Sequence, residues 1–271
     1  MALPQTFALA VILAGASLFE FGQDRSVDEL VQVMRDWSDP RPVRSILMVG
    51  NSRTSENDLP MMLRRIADSA HAPEKYQVLL LAPNGSSFQS LSSDWRVARE
   101  IGKPWDDAVF QGESRGQSSI EQAAGFMASG TNLLQAAHPR RTPPLLIVNW
   151  AYDRSEYDGA GDPALAKEVD DGRAQHIRAI QGAHAELARR TGAHAVNVGK
   201  VWEILHAGLP AVPLTSDGNH PTPAASYFVA LCLYHAMSGR DVAAVSWAPG
   251  GVPAETAAQI RHLVDQYRSA L

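Results

Sequence analysis

Cysteine is nearly absent: Cys232 is the one thiol in 271 residues, so no internal disulfide can staple the chain. It lies in "YFVALCLYHAM", where helical spacing assigns it to a core rather than to thiol chemistry. No block of basic residues occurs either. The 24 Lys and Arg against 29 Asp and Glu leave a formal charge of −5, and without a cationic stripe to neutralise phosphates nucleic acid is not an expected partner. None of the nine histidines pairs with another at the i, i+4 spacing of a helical zinc site, and His176 and His184 stand at i, i+8. The acidic stretch "DRSEYDGAGD" lacks the ligand spacing and terminal Glu of a calcium loop. No metal is expected. Repeats and low-complexity tracts are missing as well, and no reading of oligomeric state follows.

The N-terminal run "TFALAVILAGASLF" is too short to span a bilayer, so stable membrane insertion is not expected. It has the length of a signal-peptide h-region, and Ala14-Gly15-Ala16 has the small-x-small form of a cleavage site. These features predict a signal peptide over 1–16 and an exported protein, periplasmic or secreted. No Lys or Arg precedes Arg25, which keeps open the alternative of an apolar helix packed on the domain of a cytoplasmic protein. In "SVDELVQVMRDW" the residues Val27, Leu30, Val31, Met34 and Trp37 form a helical stripe. A helical segment is therefore expected over 17–44 and one larger domain over 45–271.

That domain alternates short apolar runs with longer periodic ones. The runs "SILMVG", "YQVLLLA", "DAVFQ", "LLIVNW" and "HAVNVG" are nearly continuous, as buried parallel strands are. Between them Leu59, Met62, Leu63, Ile66 and Ala70 share a helix face that Pro60 opens. Residues 118–137, 162–190 and 222–237 read as further helices. The alternation predicts an α/β fold with a parallel sheet and helices on both faces. Ligands in such folds bind beyond the carboxyl ends of the strands. The rule selects Ser52 after the first strand, Gly85 after the second, Gln111 after the third and Asn149 to Tyr152 after the fourth.

Two serines compete as nucleophile. Gly112-Glu113-Ser114-Arg115-Gly116 spells the G-x-S-x-G of a nucleophile elbow, yet no HGGG-like oxyanion segment precedes it and no matching Asp and His follow. Ser52, in "ILMVGNSRTSENDLP", has better company. "LTSDGNHPTPAASYFVA" carries Asp217 and His220 three residues apart in one tight turn. A serine hydroxyl needs a base near neutral pKa and a carboxylate to orient that base, and this turn holds both. Taken alone, the same residues also read as a polar turn that caps the next helix.

The two stretches together resemble the first and last blocks of the SGNH/GDSL hydrolase superfamily, in the branch that begins G-N-S and ends D-x-x-H-P. The resemblance extends over roughly 45–240 and implies a three-layer α/β/α domain with a five-stranded parallel flavodoxin-like sheet. It implies Ser52 as nucleophile, His220 as general base and then acid, and Asp217 as its orienting partner, with no cofactor. The family's oxyanion donors would be the N–H groups of Ser52 and Gly85 and a side-chain amide. The usual G-x-N-D that carries the amide is absent, since Gly130-Thr131-Asn132 falls in a helical pattern without the Asp. "WDDAVFQGES" looks like the W-D-x-V-x-Q-x-x-S form of some branches, which nominates Gln111, with Asn149 as the alternative.

Other residues keep two readings each. Arg53 would grip an anion or close over the site, or be a solvated surface residue, and Asn51 and Asn57 would hold the turn and cap the helix rather than touch substrate. Trp150, Tyr152 and Tyr157 would stack on a sugar, or pack in the core (Trp150) and lie exposed on a loop (the tyrosines). The expected activity is a serine esterase that releases a short acyl group from a small-molecule or carbohydrate ester. A transacylase with the same triad, or a non-catalytic carbohydrate-binding protein on this fold, are the rival expectations.

Overall fold

The computed structural model describes residues 39–113, 120–152 and 173–271. The expected signal peptide, the helix over 26–37, Ser114 and Tyr157 lie outside the described residues. The chain divides into two compact units, Met1–Arg41 and Pro42–Leu271. In the first, Asp39 and Arg41 pair at 2.6 Å. The second holds everything that follows.

Five parallel strands, β1 (Val43–Val49), β2 (Lys75–Leu81), β3 (Asp107–Gln111), β4 (Leu145–Ile147) and β5 (His194–Val196), form one sheet in the order β2-β1-β3-β4-β5. The strands read as unbroken apolar runs because both faces are covered. Ile46, Met48, Val109, Leu145 and Ile147 point into one core, and Leu47, Val49, Ala108, Phe110 and Leu146 into the other, the period-2 alternation of a strand. This is the α/β/α architecture expected from the sequence.

The helices are α1 (Ser52–Ser55), α2 (Leu59–Ser69), α3 (Phe88–Ser92), α4 (Trp95–Ile101), α5 (Ile120–Ala136), α6 (Arg173–Thr191), α7 (Val198–Gly208), α8 (Pro223–Ser238) and α9 (Ala254–Gln266). Helix α8 is buried from Ala225 through Tyr234, Cys232 included, so it forms the centre of its layer rather than an amphipathic cover. Thr222 caps it by accepting from the Ala225 N–H, and Pro223 occupies its first turn. The run "HAVNVG" ends as a strand at Val196 and continues as helix α7. Gly199 makes this possible: its N–H donates to the Val148 carbonyl at 2.8 Å, and a Cβ there would stand 2.1 Å from the Asn149 carbonyl oxygen.

The order places β1 and β3 side by side while their outgoing connections run to opposite faces, the topological switch point at which α/β sheets open a crevice. At the opposite, N-terminal edge of the same strands, the buried Arg44 pairs with the fully buried Asp107 at 2.6 and 2.9 Å and also donates to the Met237 carbonyl at 2.7 Å.

Helix α6 carries a histidine at the packed α5 contact. His184 is fully buried, its Nδ1–H donates to the Ile180 carbonyl at 2.8 Å, and its ring lies 5.0 Å from that of Phe126. Among the described residues Nε2 has no hydrogen-bond partner. Burial opposes a charge there and outweighs the Ile180 carbonyl, pulling the imidazole down to about 4. The folded state therefore binds fewer protons than the unfolded one below an ordinary histidine pKa, and stability from this group is lost as pH falls. Between pH 7 and pH 5 it amounts to about 2 kcal/mol. Urea unfolding at the two pH values should show that His184→Leu loses less stability on acidification than the wild type by about this amount; equal losses would refute the assignment.

Candidate active site

Strand β1 runs into a turn that displays a serine. The Gly50 N–H donates to the Leu81 carbonyl at 3.0 Å, which ties the end of β1 to β2. Asn51 then leaves the strand in extended geometry and caps α1, its Oδ1 accepting from the Arg53 N–H at 3.1 Å while Nδ2 donates to the Ser86 carbonyl at 3.0 Å. Ser52 is thus the first residue of a helix, where a backbone N–H has no intrahelical acceptor. Gly85 sits next to Ser86 in the turn after β2, at φ 70°, a conformation that costs glycine little. Among the described residues the N–H groups of Ser52 and Gly85 make no hydrogen bond.

The second half of the site is the turn before α8. An antiparallel bridge between Thr215 and Pro221, with hydrogen bonds Ser216 N to His220 O at 2.9 Å and Thr222 N to Leu214 O at 3.0 Å, closes it. Inside it Asp217 Oδ1 accepts from the N–H groups of Asn219 and His220 at 2.9 and 2.7 Å, and Oδ2 meets His220 Nδ1 at 2.6 Å. Partial burial would raise the Asp217 carboxyl, but the bonds from His220 and Asn219 outweigh it and hold it below the usual carboxylate range. A carboxylate only accepts, so the imidazole proton lies on Nδ1 and Nε2 presents a lone pair. That lone pair faces Ser52 Oγ at 2.9 Å. Ser52, His220 and Asp217 therefore form one hydrogen-bonded line at the carboxyl edge of the sheet, and it is open to water: the His220 side chain is 28% exposed and that of Asp217 50%.

Gln111 lies beneath the serine turn and is engaged by protein groups. Its side chain is 1% exposed. Oε1 accepts from the Asn51 N–H at 3.1 Å and from the Thr54 hydroxyl at 2.7 Å. Nε2 donates to the Gly112 carbonyl and, at 3.3 Å, to Asn149 Oδ1. The backbone donor at Asn51 fixes which end of the amide is oxygen, and both amide hydrogens are committed to protein acceptors. Both ends of the Gln111 amide are thus engaged with protein groups, and the side chain holds the serine turn from below. Asn149, 2% exposed, uses one N–H on the Gly112 carbonyl at 2.7 Å.

Arg53 is not solvated. It is 5% exposed, with its guanidinium carbon 4.7 Å from the Trp150 ring and 4.5 Å from that of Tyr152. Trp150 is 1% exposed and stacks on Trp202 at 4.2 Å and 2°. It belongs to the core and offers no face to a sugar; Tyr152 is buried too. Asn57, expected as a helix cap, yields that role to Asp58, which accepts from the Met61 N–H at 3.1 Å. His176, His184 and Cys232 are buried, His176 with its ring 6.0 Å from that of Tyr152. The roles of Arg53 and Asn219 escaped sequence reasoning, although the one adjoins Ser52 and the other His220.

No family model matches this chain, and no curated protein does. Solved structures do. A DUF4886 family protein from Bacteroides uniformis superimposes with a TM-score of 0.67 at 13% identity, over 84% of this chain and 95% of that one. A catalytic mutant of an acetylxylan esterase from Geobacillus stearothermophilus gives a TM-score of 0.55 at 12% identity, over 73% and 95%. A lipase/acylhydrolase from Enterococcus faecalis gives 0.52 at 13%, over 73% and 96%. The fold is therefore one that GDSL-like acylhydrolases and acetylxylan esterases share.

Gln111→Ala would strand two buried donors and should lower stability by about 1–3 kcal/mol. Gln111→Glu keeps one acceptor toward Asn51 and Thr54 but turns the other oxygen toward two acceptors. Burial and that repulsion raise the introduced carboxyl, so the folded variant holds its proton longer than the unfolded chain. Its deficit against the wild type should grow as pH rises above about 4. Urea midpoints at pH 5 and pH 8 test this; an equal deficit at both would mean that the side chain reaches solvent.

Proposed function

We propose that the protein is a serine esterase of the SGNH/GDSL type. The observation that carries the reading is the unbroken line from Asp217 through His220 to the Ser52 hydroxyl, at the edge of the sheet where ligands bind. Ser52 Oγ attacks the ester carbonyl while His220 Nε2 takes its proton, and the ionised Asp217 stabilises the imidazolium that forms. The N–H groups of Ser52 and Gly85 receive the oxyanion. Collapse expels the alcohol, protonated from Nε2, and leaves an acyl group on Ser52. Water then attacks with His220 as base, and the acid departs.

A short acyl group on a carbohydrate or another polar alcohol is the preferred substrate. The partly exposed His220 and half-exposed Asp217 admit water and a polar leaving group directly. The acetylxylan esterase among the structural neighbours adds support of the same kind. The buried Trp150 adds none, and it withdraws one reason for expecting a sugar. Transfer to a sugar hydroxyl in place of water uses the same steps, and product analysis with a competing alcohol separates the two.

On a short aryl acetate, Ser52→Ala should lower kcat by roughly 10⁴-fold or more, while Ser114→Ala should stay within about twofold of the wild type. A folded, inactive Ser114→Ala beside an active Ser52→Ala would replace this reading with that of a nucleophile elbow. We also propose export with removal of residues 1–16, on the strength of the apolar run and Ala14-Gly15-Ala16. N-terminal sequencing of protein from the native host should begin at Ser17; a sequence that begins at Met1 or Ala2 refutes it.

A further inference from the structure

The Ser52–His220 bond joins residues 168 positions apart in the chain, and Asp217, half exposed, orients His220 from within the same turn. Asp217 can fix the ring within the turn but cannot fix the turn against the serine. That task falls to side chains of the serine segment. Asn57, at φ 53°, donates to the Pro221 carbonyl at 2.7 Å and to Ser226 Oγ at 2.9 Å. Arg53 donates from Nε to Asn219 Oδ1 at 2.9 Å and from Nη1 to the Trp150 carbonyl at 2.8 Å. Trp150 Nε1 in turn donates to the Asn219 carbonyl at 3.1 Å.

A guanidinium has no acceptor, so the Asn219 oxygen must face Arg53 and its NH2 must face the other way. There it lies 3.4 Å from His220 Nε2, too far to displace the Ser52 hydroxyl at 2.9 Å but close enough to bound the ring on that side. The Arg53 fork is itself held, since Trp150 and Tyr152 lie against it at 4.7 and 4.5 Å.

We infer that Arg53 and Asn219 form a strut that sets the position of the His220 imidazole against the Ser52 hydroxyl. Arg53 is the positioning residue and Asn219 its arm, and the inference rests on the serine-esterase reading. Proton transfer from Ser52 needs donor and acceptor within hydrogen-bond reach and in line, and a small misplacement costs far more in turnover than in binding. Lysine would not serve here: one ammonium on a flexible stem cannot reproduce two bonds in a fixed plane.

The test uses the full chain with Arg53→Met, Arg53→Lys, Asn219→Ala and the double variant Arg53→Met/Asn219→Ala. The readouts are kcat and KM on a short aryl acetate and the rate at which a fluorophosphonate labels Ser52. Each single variant should lower kcat by roughly 10-fold or more with KM changed less than about threefold, and labelling should slow in proportion. Arg53→Lys should not restore kcat. The double variant should be no slower than the worse single one, because both remove the same interaction. Wild-type kcat in Asn219→Ala, or single effects that multiply in the double variant, would overturn the strut. Asn219→Ala, at a partly buried loop position, decides the matter even where Arg53→Met fails to fold. A wild type that neither hydrolyses the ester nor labels at Ser52 is a different result: it removes the esterase reading and the strut with it.

Discussion

The side-chain amide of Gln111 occupies the point from which the site is organised. It lies at the end of β3, beside the end of β1, where the outgoing connections part. One oxygen accepts from the Asn51 backbone and the Thr54 hydroxyl; one nitrogen donates to Gly112 and Asn149. Four chain positions from three strand exits thus converge on a single buried group. Each such bond nets only about 1 kcal/mol, but leaving a buried partner unmet costs more than making the bond gains. A fully satisfied buried network therefore specifies one arrangement rather than simply adding stability. The serine turn stands on that arrangement.

The two ends of β3 illustrate how one strand separates stability from chemistry. Asp107 opens it with a buried pair to Arg44 that also reaches Met237 in α8. Breaking such a pair from one side leaves an uncompensated charge in the core, at a cost of about 3–5 kcal/mol. Gln111 closes the strand with neutral groups only, beneath a site that water reaches. Asp217, His220 and Arg53 reach that edge from segments beyond the strand ends. A site able to relay a proton needs an ionised carboxylate near solvent and an imidazole free to change charge. The buried end of the strand offers neither condition.

Much of this was legible in the chain. Buried parallel strands are apolar on both faces, so "SILMVG" and "DAVFQ" stand out without any structure. The Pro and Thr at the start of α8 mark its first turn, and Ser52 with Asp217 and His220 carry the residue types that acyl transfer needs. The short helices α3 and α4 and the switch from β5 to α7 were not legible. They depend on Phe88 and Gly199 meeting particular neighbours, and such contacts leave no period in the sequence. Arg53 misled for the same reason: a cation beside a turn looks solvated until a second turn, distant in sequence, closes over it.

By itself the sequence determined what is set by local pattern and residue chemistry: the parallel α/β class, the strands and principal helices, Cys232 as a core residue, and the three side chains that now form one line. The tertiary structure alone decided which way an amide faces and which cation is covered. The position of Gln111 after β3 was readable, but its partners were not. Its orientation follows from the Asn51 N–H, 60 residues away, and that of Asn219 from Arg53, 166 away. A hydrogen bond is directional and short-ranged, so an amide's role depends on which groups the fold brings within about 3 Å. A linear pattern does not contain that information.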